Sequence, residues 1–123
     1  MAWNKPFPEK EITEKVTERM VSFADEFGEH LVRGGFTTNQ LRKFFGEVKR
    51  QQMQGFDKTD FVLLKPKLAY AVGRDKKIID FYKVMSQAID FVNNEDQFKN
   101  FIKFFEATVA YHKYYEELNK AKN

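Results

Sequence analysis

Lys67, Tyr70 and Arg74 stand at i, i+3 and i+7, so any helix containing them carries all three on one face. Two fixed cations around an aromatic ring suit phosphate charge and a flat unpaired base, not bond-making. The surrounding segment, Leu63-Leu64-Lys65-Pro66-Lys67-Leu68-Ala69-Tyr70-Ala71-Val72-Gly73-Arg74, adds a third cation in Lys65. It also sets Leu64, Leu68 and Ala71 on a neighbouring apolar stripe with Val72 at its edge. A cationic ridge backed by a buried stripe can lie along a polyanion without unfolding. The competing readings are an ordinary solvated basic face and, for Tyr70, a core tyrosine with a wet hydroxyl.

Groups for catalysis are sparse. General acid–base chemistry needs side chains of matched pKa brought together, or a metal. The two histidines, His30 and His112, stand in no His-x-x-x-His or Glu-x-x-His spacing and read as caps or packed residues. Gly34-Gly35 lacks the lysine that would complete a phosphate-cradling loop. The acidic pairs Asp57 with Asp60 and Asp80 with Glu106 read as caps or ion-pair partners before they read as magnesium ligands. With no cysteine there is no disulfide framework and no thiolate chemistry. The expectation is therefore no catalytic residue, no metal site and no cofactor.

The basic residues are unevenly spread. Residues 1–32 hold four Lys/Arg against seven Asp/Glu, residues 33–77 eleven against four, and residues 78–123 six against seven. A cationic middle between acidic flanks is what a footprint for an anionic partner looks like. Arg42, Lys43, Lys49 and Arg50 would join Lys65, Lys67, Arg74, Lys76 and Lys77 in one patch if their helices pack side by side. Such a patch neutralises phosphates and carries little base information. No helix-turn-helix or basic-zipper signature points to duplex reading.

The elements that must position these residues all read as helix. At 123 residues, 42% apolar and 16% aromatic, the chain can fill one core, built largely from fourteen phenylalanines. The first helix is expected from Glu9–Ile12 to about Leu31, through Val16, Met20, Phe23 and Phe27, ending at Gly34-Gly35. The second opens at Thr37 with Gln40 behind it, close to a capping box, and buries Leu41, Phe44, Phe45 and Val48. The third, Thr59 to Val72, is kinked or restarted by Pro66 near Lys65 and stopped by Gly73. The fourth runs from Asp75 to Val92, with Ile78, Tyr82, Met85, Ile89 and Val92 inward. The fifth runs from Glu95 to Leu118, through Phe98, Phe101, Ile102, Phe105, Val109, His112 and Tyr115. The expectation is an all-α bundle of about five helices in a single domain, residues 1–123, with a flexible N-terminus at 1–10 and a frayed end at 119–123. The Phe44-Phe45 and Phe104-Phe105 pairs read as core anchors. No secretory signal and no membrane-length apolar run appear, which suggests a soluble, cytoplasmic protein.

Thr-Thr-Asn-Gln-Leu-Arg-Lys-Phe-Phe at 37–45, the Lys-Pro-Lys-Leu-Ala-Tyr-Ala segment at 63–74, and Phe-Phe-Glu-Ala-Thr-Val-Ala-Tyr-His-Lys at 104–113 together resemble the small subunit of type III-A CRISPR effector (Csm) complexes. The resemblance covers Thr37 to Lys113 and departs mildly at Val72. It implies an all-helical, non-catalytic subunit of an antiviral ribonucleoprotein, repeated along an inner filament against guide RNA and target RNA. Its partners would be the backbone subunit, which cleaves target, the large subunit, which signals, and copies of itself. Guide pairing would supply the specificity, so the subunit needs only backbone contacts. The candidate RNA contacts are Arg42, Lys49, Lys67 and Arg74, then Lys43, Arg50, Lys65 and Lys77, with Tyr70 as a stacking platform. The alternatives are the small subunit of the related type III-B complex, a helical protein-interaction module with a basic face, and a metal-dependent nuclease.

Overall fold

Local chemistry starts and stops most of the helices. The computed structural model describes residues 3–122. They form α1 (Glu9–Thr13), α2 (Glu18–Arg33), α3 (Thr38–Gln54), α4 (Lys58–Val62), α5 (Leu64–Arg74), a 3-10 turn (Lys76–Ile78), α6 (Ile79–Asp90) and α7 (Glu95–Lys122), with no strand. The all-α class is as expected, and two of the expected helices are each divided.

The first division has a tertiary cause. Thr17 caps α2 by accepting from the Arg19 amide at 3.3 Å. The carbonyls freed at the end of α1 are taken by α7, whose Asn100 amide donates to Ile12 O at 2.9 Å and Glu14 O at 3.4 Å. The second division follows the proline. Leu63 ends α4 and α5 restarts at Leu64, so Pro66 stands in a first turn, where its missing N–H would have had no helical partner.

Gly34-Gly35 closes α2 with paired bonds, Gly35 N–H to Val32 O at 3.1 Å and Phe36 N–H to Leu31 O at 3.0 Å. Gly35 takes φ +84, a left-handed conformation that side-chain-bearing residues disfavour. The capping box opening α3 is complete, Gln40 N–H to Thr37 Oγ1 at 3.2 Å and Thr37 N–H to Gln40 Oε1 at 2.9 Å. Gly73, in contrast, does not stop α5. The helix continues through Arg74, and Asp75 turns extended (φ −148) to cap the 3-10 turn by accepting from the Lys77 amide at 3.0 Å.

The core is aromatic. Phe27, Phe61, Phe81, Phe101 and Phe104 are fully buried, and Phe61 meets Phe101 edge-on at 5.0 Å. Such edge-to-face contacts add to what ring burial alone contributes. Phe104 and Phe105 are buried, whereas Phe44 and Phe45 are only partly so, packing on Phe81 and Phe105. Ile78, Met85, Ile89 and Val92 face inward as expected, with Tyr82 at the margin. Long α7 packs against α2 where Gly28 removes a side chain; a Cβ there would stand 2.8 Å from Tyr111 Cβ and 2.9 Å from the His112 amide nitrogen. In residues 1–10, expected to be flexible, Trp3 lies 5.1 Å from Phe27 and Phe7 5.4 Å from Phe23. Residues 119–122, expected to fray, continue α7, and Asn123 lies outside the described residues. Among the described residues no helix is long and apolar enough to cross a membrane.

Candidate nucleic-acid interface

Two helical faces with the same spacing confront each other. Gln40, Lys43, Phe44 and Glu47 of α3 stand at i, i+3, i+4 and i+7; Lys67, Tyr70, Ala71 and Arg74 of α5 repeat the pattern. With Asp75 and Ile78 they line a groove of about 580 Å³. Lys43, Lys67 and Arg74 are exposed, and Tyr70 is 68% exposed, which rules out a core role for it. The Arg74 guanidinium lies 6.0 Å from the Tyr70 ring centroid, so cation and ring present one joint surface. Phe44 and Ala71, both partly buried, back the groove with apolar surface.

Carboxylates share this groove with the cations. Glu47 Oε1 accepts from Arg50 Nη2 at 2.6 Å, Lys67 Nζ at 3.1 Å and Gln51 Nε2 at 3.3 Å, while Oε2 accepts from Arg50 Nε at 3.1 Å. These bonds, Arg50's foremost, hold the Glu47 carboxyl down at about 2 against the opposing effect of burial. Asp75 is also lowered, first by the Lys77 amide and then by Gln40, whose Nε2 donates to it at 2.6 Å.

The remaining candidates do not enter the groove. Arg42 lies on the other side of α3, beside α7, in a cleft of about 220 Å³ shared with Phe45, Val109, His112 and Lys113. Lys49 faces the same way, paired with Glu106 at 2.7 Å and placed 5.3 Å from the Phe45 ring. Arg50 is tied to Glu47 and to Asp60 at 3.1 Å. Lys65 turns to α6 and pairs with Asp90 at 2.6 Å. The Lys77 stem lies against Gly35, where an added Cβ would come within 3.3 Å of it. The nine residues therefore form no single track; Lys43, Lys67, Tyr70 and Arg74 share the groove.

Sequence reasoning missed Gln40, Phe44, Glu47 and Asp75 as groove residues. The i, i+3, i+4, i+7 pattern of α3 was readable around Lys43, but the Glu47–Lys67 pair joins positions 20 residues apart and had no local signal. The histidines and acidic pairs considered for catalysis are absorbed structurally. His30 bonds Asp80 at 2.7 Å, buried His112 bonds Phe36 O at 2.7 Å, and Asp57 caps α4. Among the described residues no three His, Asp or Glu side chains gather as a metal site.

A family model described as Csm2 Type III-A matches residues 14–118. The chain belongs to that family. It is thus a small subunit of the type III-A Csm complex, and the III-A rather than the III-B resemblance is the one the match gives. No curated protein and no solved structure matches this Csm2 chain. The Csm2 match is wider than the resembling motifs at 37–113: it takes in all of α2 and reaches Leu118 in α7. Trp3 and Phe7, which pack on Phe27 and Phe23, and α1 precede it.

Proposed function

We propose that this Csm2 subunit is a non-catalytic RNA-backbone clamp. It lies along guide RNA and target RNA, stacks with copies of itself into the inner filament beside the backbone and large subunits, and contacts RNA without sequence preference. The observation that carries this reading is the α3–α5 groove, in which Lys43, Lys67 and Arg74 surround an exposed Tyr70. Phosphates would meet the ammonium and guanidinium groups, and an unpaired base would lie on the Tyr70–Arg74 surface. Indifference to sequence follows from the same chemistry, since phosphate charge is identical at every nucleotide. The groove's mixed make-up sets a modest affinity, because Glu47 and Asp75 offset part of its positive charge.

The test is a titration of the purified subunit with labelled single-stranded RNAs of unrelated sequence. Similar affinities for all of them are expected. With three cations lining the groove, the logarithmic salt slope should be no steeper than about −2. The double variant Lys67→Glu, Arg74→Glu should weaken association in the free subunit and in the assembled particle while leaving helicity unchanged. Unaltered affinity in both settings would remove the groove from consideration. Crosslinking to labelled guide and target in the whole complex then identifies the strand contacted.

A further inference from the structure

Lys67 stands out within the groove because its charge is already answered. Among the described residues Glu47 is the carboxylate within ion-pair distance of it, at 3.1 Å, whereas Lys43 and Arg74 have no such partner. The Glu47 side chain is 21% exposed and bonded by three residues, so it is a held anion at the groove at neutral pH. Its Oε1 presents to Lys67 the same charge-assisted bond that a non-bridging phosphate oxygen would. Arg50 differs from Lys67: it holds a second carboxylate, Asp60, and the Gln54 amide at 2.7 Å, so losing Glu47 would leave it anchored.

We infer that Glu47 is an affinity-setting residue, a built-in competitor that occupies Lys67 in place of backbone phosphate. This rests on the RNA-clamp reading above. Phosphate reaches Lys67 by exchange: the ammonium leaves the carboxylate and bonds the phosphate, while Arg50 and Gln51 keep Glu47 in place. Exchange of one ion pair for another gains little free energy, so the subunit alone holds RNA loosely. For a protein repeated along a strand, loose individual contacts are enough, because neighbouring copies multiply them.

The test is a double-mutant cycle in the full chain, read by RNA affinity and by its salt slope. Glu47→Gln keeps the shape and leaves Lys67 free. It should tighten RNA binding by about 2- to 5-fold, the strength of an exposed ion pair, and steepen the salt slope by up to ~0.7. In a Lys67→Gln background the same change should do nothing to either readout. A merely general effect of removing one negative charge would tighten binding equally in both backgrounds, and that result overturns the inference. So does an affinity that is unchanged or weaker in Glu47→Gln, with Glu47→Ala as the second variant should the first prove unstable by urea denaturation. Those outcomes, with Lys67→Glu, Arg74→Glu still weakening binding, refute the competitor role alone. Absence of RNA binding in parent and variants together refutes the clamp reading beneath it.

Discussion

Arg42 and Lys49 differ from Lys67 and Arg74 in placement, not in charge. The first two face α7, where Lys49 is engaged by Glu106; the second two line the groove. Neutralising either pair removes the same two positive charges, so long-range attraction falls equally and only short-range contacts separate the two variants. Lys67→Gln, Arg74→Gln should therefore weaken RNA association roughly tenfold, and Arg42→Gln, Lys49→Gln by no more than ~2-fold. Fluorescence anisotropy at fixed salt checks this. Equal losses would mean that strand contacts extend over both sides of α3. The motif around Lys67 was readable at this scale because i, i+3, i+7 neighbours meet on any helix. That Lys49 belongs to an ion pair with Glu106, 57 residues away, was not.

Among the elements, the separation of α1 from α2 is the feature most exposed to test. An uninterrupted helix was expected, since residues 9–31 contain no proline or glycine before Gly28. The break stands because Asn100, reaching from α7, bonds carbonyls that an unbroken helix would have used itself. Asn100→Ala should leave a buried carbonyl at Ile12 unpaired and cost about 1–2 kcal/mol, measured as a lower urea midpoint. Helical content should hold, because α2 keeps its own Thr17 cap. A variant as stable as the parent would show that water replaces the amide. The Pro66 restart, by contrast, was legible from proline's missing donor, and the Thr37–Gln40 box from its residue types. Gly73 was misread for a local reason: a glycine is a stop only where φ must turn positive, and here Asp75 ends the helix instead.

For the whole molecule, two shifted groups bound the pH range. Glu47 titrates near 4.5 in an unfolded chain and at about 2 when folded, chiefly through the Arg50 bond. The unfolded state takes up the proton first, so stability present above about pH 4.5 drains away as pH falls toward 2. Tyr115, donating to Asp25, is pushed up from 10.0 to about 12, so its folded form keeps a proton that the unfolded form sheds. Its contribution is complete below pH 10 and is lost as pH rises toward 12. Urea midpoints across pH should fall on both limbs. Glu47→Gln should flatten the acid limb, and Tyr115→Phe the alkaline one. A variant whose profile overlays the parent's removes that group from the account.

What the chain carries in its own order of residues is everything that acts within a few positions: helical stripes, caps, the glycine turn after α2, and the motifs of the type III-A small subunit. An aromatic core followed too, because fourteen phenylalanines at helical spacing have nowhere else to go. Tertiary structure decided which cations share a groove and which are spent on Glu106, Asp90 or Asp60. The physical reason is reach. A lysine stem extends several ångströms and takes whichever carboxylate the packed helices bring near it, and for Lys67 that is Glu47 on α3, 20 residues earlier.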